Sequence, residues 1–526
     1  MRSTLPIFRL VVLVLLPDAA LAQAVKVPPI FRDHMVLQRD VSVPVWGQAD
    51  AGSEVTVRFA GQSKTATVDK QGRWEVRLDP ITASNESREM RIGNSVIRDV
   101  LVGEVWLCSG QSNMRWIVGH VDKFPGVEGA QEEIAKPERP ALRLFSDDGE
   151  EVWQQRGWQR ANGEQVARFS ATAYFFGQML HRELGVPVGV INVSRGGTSV
   201  QAWTRHEFAM RNPFTRHYVE LEEKSRDVIR SYNEAQRAAR LARQAGQKGA
   251  SQPAELDPEI QIARLFHVAN LYDAHIEPLA PCAIRGVVWY QGESNASRLK
   301  TAQAYGSMLR DLIEGWRDRW GQPAMPWLVM QLPCWDGATS APWPWVRQGQ
   351  WETSRIVPNV SLTTICDVSD SSNLHPAQKR EAGERLARLA LAKVYGQRMV
   401  SHGPTPTGFR TDGDRLVLNF EADGVDLAVK GGRWNDVEIA GADGIYHPAQ
   451  ATFTGNSATI LSAAVKAPRA VRYGWRPVFQ PTLFNAAGLP AAPFALWMDS
   501  SGSILPGIPT ALPASVSPKA NIRSNP

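Results

Sequence analysis

Between about residue 101 and residue 396, short apolar runs alternate with amphipathic helical segments, and this alternation is the strongest constraint on the fold. The runs Val105–Cys108 and Val188–Val193 are almost wholly apolar, which is typical of strands buried on both faces of a sheet. Segments with helical periodicity, such as Ser170–Leu184 and Tyr305–Trp320, lie between such runs. Strands that alternate with helices in this way favour a parallel sheet covered by helices on both faces, which is an α/β fold.

Both flanks of this region have a different pattern. In runs such as Glu54–Phe59 and Leu416–Phe420, apolar and polar residues alternate, and turn signals separate one run from the next. This pattern is typical of antiparallel β structure. We therefore predict an N-terminal β region over residues 23–100, an α/β domain over 101–396, and a C-terminal β region over 397–500.

Two further segments stand apart from this plan. Residues from about 220 to 252 are dense in charged residues and alanine, with charge pairs at helical spacing, and we predict an inserted, solvated helix there, either a surface excursion or a lid over the cleft. Residues 501–526 are rich in Pro, Ser and Ala, and we predict a disordered tail.

The first 22 residues have the pattern of a secretory signal peptide. Arg2 and Arg9 are positively charged, Leu10–Leu16 is wholly apolar, and Ala20-Leu21-Ala22 fits a small-residue cleavage site. The apolar run is too short to span a bilayer. We therefore expect an exported protein, periplasmic or extracellular, with no membrane partner.

Charge and cysteine content narrow the classes of function. The formal net charge is +5, and no run of Lys or Arg concentrates it, which argues against a nucleic-acid partner. Export permits disulfides, and the four cysteines allow three full pairings or could equally be four buried thiols. The histidines and cysteines lack metal-ligand spacing, so we expect no metal site, and nothing in the sequence calls for a cofactor. The sequence leaves the oligomeric state open.

A serine follows the first buried strand of the α/β region. The run Val105–Cys108 stops at Ser109-Gly110, and Gln111-Ser112 begins a helical turn. A serine just past a strand and at a helix start has an exposed hydroxyl at the rim of the sheet, where a nucleophile can act. The alternative is an ordinary helix cap.

Three more polar motifs follow predicted strands: Gly196-Gly197, Gln291-Gly292-Glu293 and His375. In open α/β sheets, ligands bind outside the carboxyl ends of the strands. Acyl transfer requires a nucleophile, a base and donors for the oxyanion, and Ser112, His375, backbone N–H groups and a side-chain amide supply these types. Taken singly, each motif could be a turn, a helix cap or an ordinary polar loop. The functional interpretation therefore depends on the occurrence of all four motifs at strand ends.

These motifs resemble the sialate O-acetylesterase family, which are carbohydrate esterases of the SGNH-hydrolase type. The segments that carry the resemblance are Gly110–Met114, Asn192–Thr198, Trp289–Asn295 and Leu374–Pro376, with Met35–Arg39, Trp46-Gly47 and Gly72–Trp74 on the N-terminal side and Tyr473–Trp475, Asn485 and Gly488–Pro490 on the C-terminal side. The resemblance implies an SGNH-type three-layer α/β/α domain flanked by β-sandwich-like regions.

The resemblance also implies roles for single residues. Ser112 would be the nucleophile and His375 the general base. Gly197 and Gln291 would donate to the oxyanion, with Gly196 and Asn295 as the alternatives. We expect Glu293 to orient its own motif through hydrogen bonds to neighbouring backbone.

One position departs from the family pattern. The family usually has Asp two residues before the histidine, and this chain has Asn373. Loss of the carboxylate in a serine-protease triad lowers turnover about 10⁴-fold. Asp370 or Asp367 could replace it, or the site could work as a Ser–His dyad or as a weak enzyme; of the two acids, Asp370 is the one we assign to this role.

The resemblance implies hydrolysis of acetyl esters on sugars and leaves the sugar open. A sialate would need a cation for its carboxylate, and Arg115 or Arg195 could supply it. Tryptophans close together in the sequence favour a neutral sugar, since flat aromatic faces stack on sugar rings: Trp335, Trp343, Trp345 and Trp351. We expect an O-acetylated plant hemicellulose, such as xyloglucan or xylan, ahead of an O-acetylated sialic acid.

Rival classes of protein remain. A non-catalytic carbohydrate-binding protein on the same fold would fit the flanking β regions and the missing Asp. A lipase or peptidase is disfavoured because the Gly-x-Ser-x-Gly elbow is absent, and a metal hydrolase because the histidines are scattered.

Overall fold

The computed structural model describes residues 25–120, 125–147, 157–246, 253–337 and 340–508. The predicted signal peptide therefore lies outside the described residues. The strands are β1 (Val36–Gln38), β2 (Val43–Gln48), β3 (Glu54–Phe59), β4 (Gln62–Thr67), β5 (Arg73–Leu78), β6 (Ser84–Ile92), β7 (Ser95–Gly110), β8 (Arg139–Ser146), β9 (Gly157–Ala161), β10 (Val188–Ser194), β11 (Gly286–Tyr290), β12 (Trp327–Met330), β13 (Val360–Thr363), β14 (Thr405–Asp412), β15 (Arg415–Glu421), β16 (Leu427–Val429), β17 (Val437–Ala440), β18 (Tyr446–Pro448), β19 (Gln450–Thr454), β20 (Ser457–Leu461), β21 (Ala470–Tyr473), β22 (Leu483–Asn485), β23 (Phe494–Met498) and β24 (Ile504–Pro506).

The helices are α1 (Ser112–Arg115), α2 (Ala130–Ile134), α3 (Gly163–Ala167), α4 (Ala171–Leu184), α5 (His206–Ala209), α6 (Pro213–Lys224), α7 (Arg226–Gln244), α8 (Pro258–Arg264), α9 (Leu299–Gln303), α10 (Tyr305–Trp320), α11 (Trp343–Ile356) and α12 (Lys379–Lys393). None of the helices among the described residues is both long and apolar enough to cross a membrane.

The central sheet has the strand order β13-β12-β11-β7-β10-β8-β9. The first six of these strands run parallel, and β9 adds an antiparallel edge beside β8. This sheet confirms the predicted α/β fold with a parallel sheet. Its pattern arises because strands buried on both faces must be joined by crossover helices, as the sequence alternation indicates.

The two faces of the sheet belong to different hydrophobic cores. Trp106 and Cys108 of β7 pack in one core with residues of α4 and α12. Val105 and Leu107, which point the other way, pack in a second core with residues of α10 and α11. Successive side chains of a strand point to opposite faces, so the wholly apolar run builds three layers, helices–sheet–helices.

Strand β7 belongs to two sheets. Residues up to Gly103 pair with β1 and β6 of the N-terminal region, and residues from Glu104 to Gly110 pair with β10 and β11. The strand therefore runs across the predicted boundary at residue 100. One continuous strand joins the N-terminal β region to the central sheet.

The structure differs from the sequence-based expectations at three places. The predicted tail contains a strand at its start, because β24 pairs with β23; residues 509–526 lie outside the described part. The charged insertion is two helices, α6 and α7, that meet at Ser225, and residues 247–252 are not described. Helix α12 begins at Lys379 rather than at Pro376.

All four cysteines are free thiols, and Cys108, Cys334 and Cys366 are buried. Of the alternatives that the sequence left open, the structure therefore has free thiols rather than a disulfide pairing.

The buried guanidinium of Arg347 joins α11 to the C-terminal β region. Its side chain is fully buried, and its N–H groups donate to the carbonyl oxygens of Leu332 (2.9 Å), Pro333 (2.6 Å), Arg476 (2.8 Å) and Pro477 (3.0 Å). One side chain thus binds four carbonyls from two separate segments of the chain, although Pro333 also accepts from Trp343 and Pro477 from the N–H of Trp335.

We predict that Arg347→Met destabilises the protein by more than about 3 kcal/mol, because four carbonyls that connect two segments each lose a hydrogen bond. Urea denaturation followed by tryptophan fluorescence measures the free energy of unfolding. The matched control is Arg355→Met in the exposed last turn of the same helix, expected to change stability by less than about 0.5 kcal/mol. Equal effects of the two substitutions would contradict the assigned role of Arg347.

Candidate active site

The end of β7 presents Ser112. Gly110 has a φ of +144°, and a Cβ there would lie 2.1 Å from the carbonyl oxygen of Tyr290, so only glycine fits. Ser112 is the first residue of α1; the capping position belongs to Gln111, so the helix-cap alternative for Ser112 is wrong. Gln111, Asn113 and Met114 are buried, and Ser112 alone among these four is partly exposed.

The loop after β10 lies against Ser112. The N–H of Arg195 donates to the carbonyl of Gly110 (3.1 Å). A Cβ on Gly196 would lie 3.7 Å from the Cβ of Ser112, and Gly196 is exposed. Gly197 has a left-handed φ of +73° and lines a neighbouring cavity of about 430 Å³. The structure thus places backbone, without an intervening side chain, beside the candidate nucleophile.

The Gln291 amide does not face a ligand, which corrects the expectation that it donates to an oxyanion. Its side chain is fully buried, and Nε2 donates to the carbonyl of Thr198 (2.9 Å), Oδ1 of Asn295 (2.9 Å) and Oε1 of Gln111 (3.1 Å). An amide nitrogen has only two hydrogens, and three protein acceptors already surround this one. Gln291 therefore ties three loops together from within.

Asn295, the alternative donor, is engaged in the same way. It is 1% exposed, its Oδ1 accepts from the N–H of Val200 (3.0 Å), and its Nδ2 donates to Oε1 of Gln201 (3.1 Å). It supports the loop after β10, and it also lines the cavity that Gly197 lines. Gln111 has a similar role, since its Oε1 also accepts from the N–H groups of Gly292 and Ser294.

His375 is half-buried in the loop before α12. Its ring stacks on Trp116 with centroids 4.4 Å apart and an angle of 20° between the planes. Its Nε2 is buried and has no hydrogen-bond partner among the described residues. Burial, together with the positive charge of Lys379, lowers the pKa of His375 to about 4. The imidazole is therefore neutral at neutral pH, with one ring nitrogen unused by the protein.

Asn113 joins the turn of Ser112 to the loop of His375. Its Nδ2 donates to the carbonyl of Leu374 (3.1 Å), the residue directly before His375. Trp116, which stacks on His375, donates its backbone N–H to the carbonyl of Ser112 (2.8 Å). No hydrogen bond links the side chains of Ser112 and His375 in this structure, as is common for catalytic pairs without substrate.

The structure contradicts Asp370 as the acid behind His375. Asp370 is exposed, and its Oδ1 accepts from the N–H (2.9 Å) and the hydroxyl (2.7 Å) of Ser372, which hold its pKa below the usual range. Asp367 is bound by Arg385 at 2.6 and 2.8 Å. In the described part of the chain, no ion pair of 4 Å or less joins a ring nitrogen of His375 to a carboxylate, and Nε2 has no hydrogen-bond partner.

Asn373 has a different role from the expected carboxylate. Its Oδ1 accepts the backbone N–H of His375 (2.9 Å). Asn373 thus fixes the backbone of the loop rather than the imidazole.

Glu293 and Lys379 form a buried cluster around Asn113. Oε1 of Glu293 accepts from Nδ2 of Asn113 (2.5 Å), and Nζ of Lys379 donates to Oδ1 of Asn113 (2.6 Å) and to the carbonyl of Pro376 (2.8 Å). Burial raises the pKa of Glu293 and lowers that of Lys379 to about 7. The Glu293 carboxylate is thus bound by Asn113, and the backbone of Gly292 and of Glu293 itself also acts on its pKa, in the direction opposite to burial.

The two arginines of the motifs differ in their surroundings. Arg195 donates to the carbonyl of Ser194 (3.0 Å), and its Nη2 lies 3.9 Å from Asp147 and 3.4 Å from Nδ1 of His275. His275 is in turn 2.7 Å from the Asp147 carboxylate. Arg115 lies in α1 and is half-buried, with its Nε enclosed by protein. Arg195 is therefore part of a cluster that contains its own negative charge.

Sequence reasoning missed Asp147, His275 and Lys379. Asp147 directly follows β8, so the argument that selected Ser112, a polar residue just after a strand, could also have selected Asp147. His275 lies in a short π-helix, Tyr272–Ile276, for which the sequence has no pattern. Lys379 is one of several charged residues of a surface-like helix, and only its burial distinguishes it.

Comparisons with known proteins show the family of the chain. A family model described as "Carbohydrate esterase, sialic acid-specific acetylesterase" matches residues 102–241 and 261–392, more than half of the chain. The chain belongs to this family. The sialate O-acetylesterase of Mus musculus is 28% identical over 441 residues, covering 74% of this chain and 77% of the mouse protein. That of Rattus norvegicus is 26% identical over 495 residues, covering 84% and 88%.

A solved structure extends the similarity to the whole fold. A carbohydrate acetylesterase from Xanthomonas citri is 30% identical, has a TM-score of 0.72, and covers 91% of this chain and 100% of its own. This chain is therefore a carbohydrate O-acetylesterase of the sialic acid-specific acetylesterase family, and the alternative of a non-catalytic binding protein is set aside.

For this acetylesterase we predict that Asp370→Asn keeps acetate release within about threefold of wild type, because Asp370 contacts only its own turn. In a triad the same change costs about 10⁴ in turnover. The measurement is kcat for p-nitrophenyl acetate. A loss beyond tenfold, with an unchanged melting temperature, would restore Asp370 as the orienting acid.

Proposed function

We propose that this acetylesterase removes O-acetyl groups from glycans by acyl transfer through a Ser112–His375 dyad. Two observations support the proposal: Ser112 is the partly exposed residue of an otherwise buried turn, and the neutral imidazole of His375 has an Nε2 without a partner among the described residues. The hydrogen bond of Asn113 to the carbonyl of Leu374 and the stacking of Trp116 on His375 hold the two segments side by side.

The chemistry needs only these two groups and backbone donors. His375 takes the proton of the Ser112 hydroxyl as Oγ attacks the acetyl carbonyl. The tetrahedral intermediate expels the sugar oxygen, which receives that proton from His375, and the acetyl group stays on Ser112. Water, deprotonated by the same imidazole, then attacks the acetyl carbonyl; the bond to Oγ breaks, acetate leaves, and Oγ of Ser112 receives the proton back from His375. Candidate oxyanion donors are the backbone N–H groups of Ser112 and of Gly196 or Gly197, since Gly196 adjoins Ser112, the Gln291 amide is occupied and Asn295 is 1% exposed.

The first test removes each member of the dyad. Ser112→Ala and His375→Ala should each lower kcat for acetate release at least 10³-fold, with far-UV spectra and melting temperatures like wild type. Ser297→Ala, on a hydroxyl that donates to the carbonyl of Ser294 at the surface, is the matched control and should keep full activity. If Ser112→Ala still releases acetate at the wild-type rate, another nucleophile carries the reaction.

We further propose a neutral O-acetylated glycan, such as a hemicellulose oligosaccharide of the xyloglucan or xylan type, as the substrate. A sialate carboxylate needs an uncompensated cation, and Arg195 shares its charge with Asp147. The names of the mammalian relatives favour the other substrate, an O-acetylated sialic acid.

The tryptophans contribute less to this choice than the sequence implies. Trp343 and Trp351 are core residues, 1% and 3% exposed. Trp335 and Trp345 are partly exposed, although they pack against Trp343 and Trp475 with centroids 5.0 and 5.2 Å apart. Of the four tryptophans named in the sequence argument, Trp335 and Trp345 are the two with ring surface to offer to a sugar.

A screen over acetylated glycans tests the substrate. The rate of acetate release is compared at equal concentrations of acetyl ester. The substrates are acetylated xyloglucan and xylan oligosaccharides, acetylated pectin and O-acetylated sialic acids. We expect kcat/KM at least tenfold higher on a neutral glycan, and Arg195→Met should change all substrates by similar factors. A preference for sialate that Arg195→Met abolishes would reverse the assignment. The signal-like N-terminus supports export, the location where such glycans are met.

A further inference from the structure

His375 lacks the carboxylate that usually holds a catalytic imidazole, yet its backbone is fixed on three sides. Its own N–H donates to Asn373 (2.9 Å), the carbonyl before it accepts from Asn113 (3.1 Å), and the carbonyl after it, of Pro376, accepts from Lys379 (2.8 Å). Two of these three hydrogen bonds come from the buried cluster of Glu293, Asn113 and Lys379. The cluster therefore fixes the backbone on both sides of His375, the candidate base.

Lys379 is the member that makes both connections. It is fully buried, and its ammonium donates to Oδ1 of Asn113 (2.6 Å) as well as to Pro376, above the ring of Tyr290 at 5.7 Å. The Asn113 amide is thereby oriented, with its oxygen to Lys379 and its nitrogen to Glu293 and Leu374. Asn113 is also the residue directly after Ser112, so one ammonium connects the turn of the nucleophile to the loop of the base.

We propose, on the basis of the dyad function above, that Lys379 is a positioning residue of this acetylesterase, which fixes His375 relative to Ser112 through the Pro376 carbonyl and the Asn113 amide. In this chain the orientation that a carboxylate behind the imidazole would supply comes from a cation bound to the backbone around it.

A cation in this place has an electrostatic consequence that a carboxylate would not have. The groups that meet around Asn113 are Lys379 from α12, Glu293 from the loop after β11 and the phenol of Tyr290 from β11; Arg115 lies in α1, and Asp370 lies exposed in the His375 loop. Burial first, and the charge of Lys379 second, lower the pKa of His375. His375 acts as a base only when neutral, so activity is present above this pKa and is lost as the pH falls through it.

The test is the pH dependence of kcat/KM for p-nitrophenyl acetate in wild type, Lys379→Met and Glu293→Gln. Wild type should keep activity well below pH 6.5, the ordinary pKa of histidine. Lys379→Met should lower kcat roughly ten- to hundredfold, with KM little changed, because the base is misplaced. The acid limb, which is the part of the pH profile where kcat/KM falls as the pH decreases, should also move to higher pH, because a positive charge near His375 has been removed.

Glu293→Gln is the matched change of opposite sign. Glutamine keeps an oxygen for Asn113, and the substitution removes a negative charge, so the acid limb should stay in place or move to lower pH. Lys393→Met, in the last turn of the same helix, removes a lysine that is 39% exposed, and should leave kcat and the acid limb unchanged. If the acid limb moves to higher pH by the same amount in Lys379→Met and Glu293→Gln, both substitutions have disturbed the structure of the site in a way that does not depend on charge, and the proposal is overturned.

The double variant Lys379→Met/Glu293→Gln is the control for a folding defect. A single substitution leaves one buried charge without its partner, whereas the double variant leaves none. If Lys379→Met does not fold, the double variant should fold and show the same lowered kcat and raised acid limb. A double variant that does not fold either would assign the cluster to folding and overturn the positioning role.

The outcomes separate this proposal from the dyad function. If Ser112→Ala abolishes acetate release while Lys379→Met keeps wild-type kcat and the wild-type acid limb, only the role of Lys379 is wrong. If Ser112→Ala keeps full activity, the dyad function is wrong, and a pH shift in Lys379→Met then has no bearing on Ser112. A lowered kcat in Lys379→Met without any movement of the acid limb would also contradict the proposal, since loss of structure alone explains it.

Discussion

The backbone pairing of β7 is the constraint on which the rest of the structure depends. The strand pairs with β1 and β6 in its first part and with β10 and β11 in its second, so a shift of its register would displace both sheets at once. Its last residue, Gly110, touches the end of β11 so closely that no side chain fits between them. The loops that follow β7, β10 and β11 are thereby forced to meet at one point, and Ser112, Gly196 and Glu293 lie in those loops.

Burial of opposite charges around Asn113 is the second constraint. An isolated ammonium or carboxylate in a protein interior is costly, and removing one partner of a buried pair costs more than replacing both. Lys379 and Glu293 satisfy this condition through the two ends of one amide, since Asn113 accepts from the first and donates to the second. An apolar core at this place would be simpler to fold. The cluster is therefore best explained by the backbone that it holds, which is the loop of His375.

The fold could be predicted from sequence much further than the site. Apolar runs of strand length and helices such as Tyr305–Trp320 report burial and periodicity, which are local properties, and α10 has the predicted bounds. The start of α12 was placed too early because Pro376 is a favourable helix start, while the turn around His375 delays the helix to Lys379. The strand β24 was missed because pairing with β23 orders a segment whose composition is that of a tail.

Within the site, the sequence predicted which segments meet better than it predicted which groups their side chains contact. Reasoning from strand ends selected the segments of Ser112 and His375, which the Asn113 hydrogen bond and the stacking of Trp116 on His375 do bring together. It failed for Gln291, whose donors face other loops, and for Asp370, whose nearest donor is two residues away in its own turn. Which of several polar groups in a loop a side chain contacts is decided by tertiary packing, and for those contacts composition and spacing carry no signal.

A carboxylate behind a catalytic histidine has two effects: it orients the ring, and it stabilises the imidazolium. In this chain the two effects are separated. Orientation comes from the stacked Trp116 and from the three hydrogen bonds to the backbone around His375, while the nearby charge is positive and opposes the imidazolium. Such a base transfers protons with less driving force, and it stays neutral in acid, where a histidine paired with a carboxylate would already be protonated. An acetyl ester has a better leaving group than a peptide, so a reaction of this class can tolerate the weaker base that the structure provides.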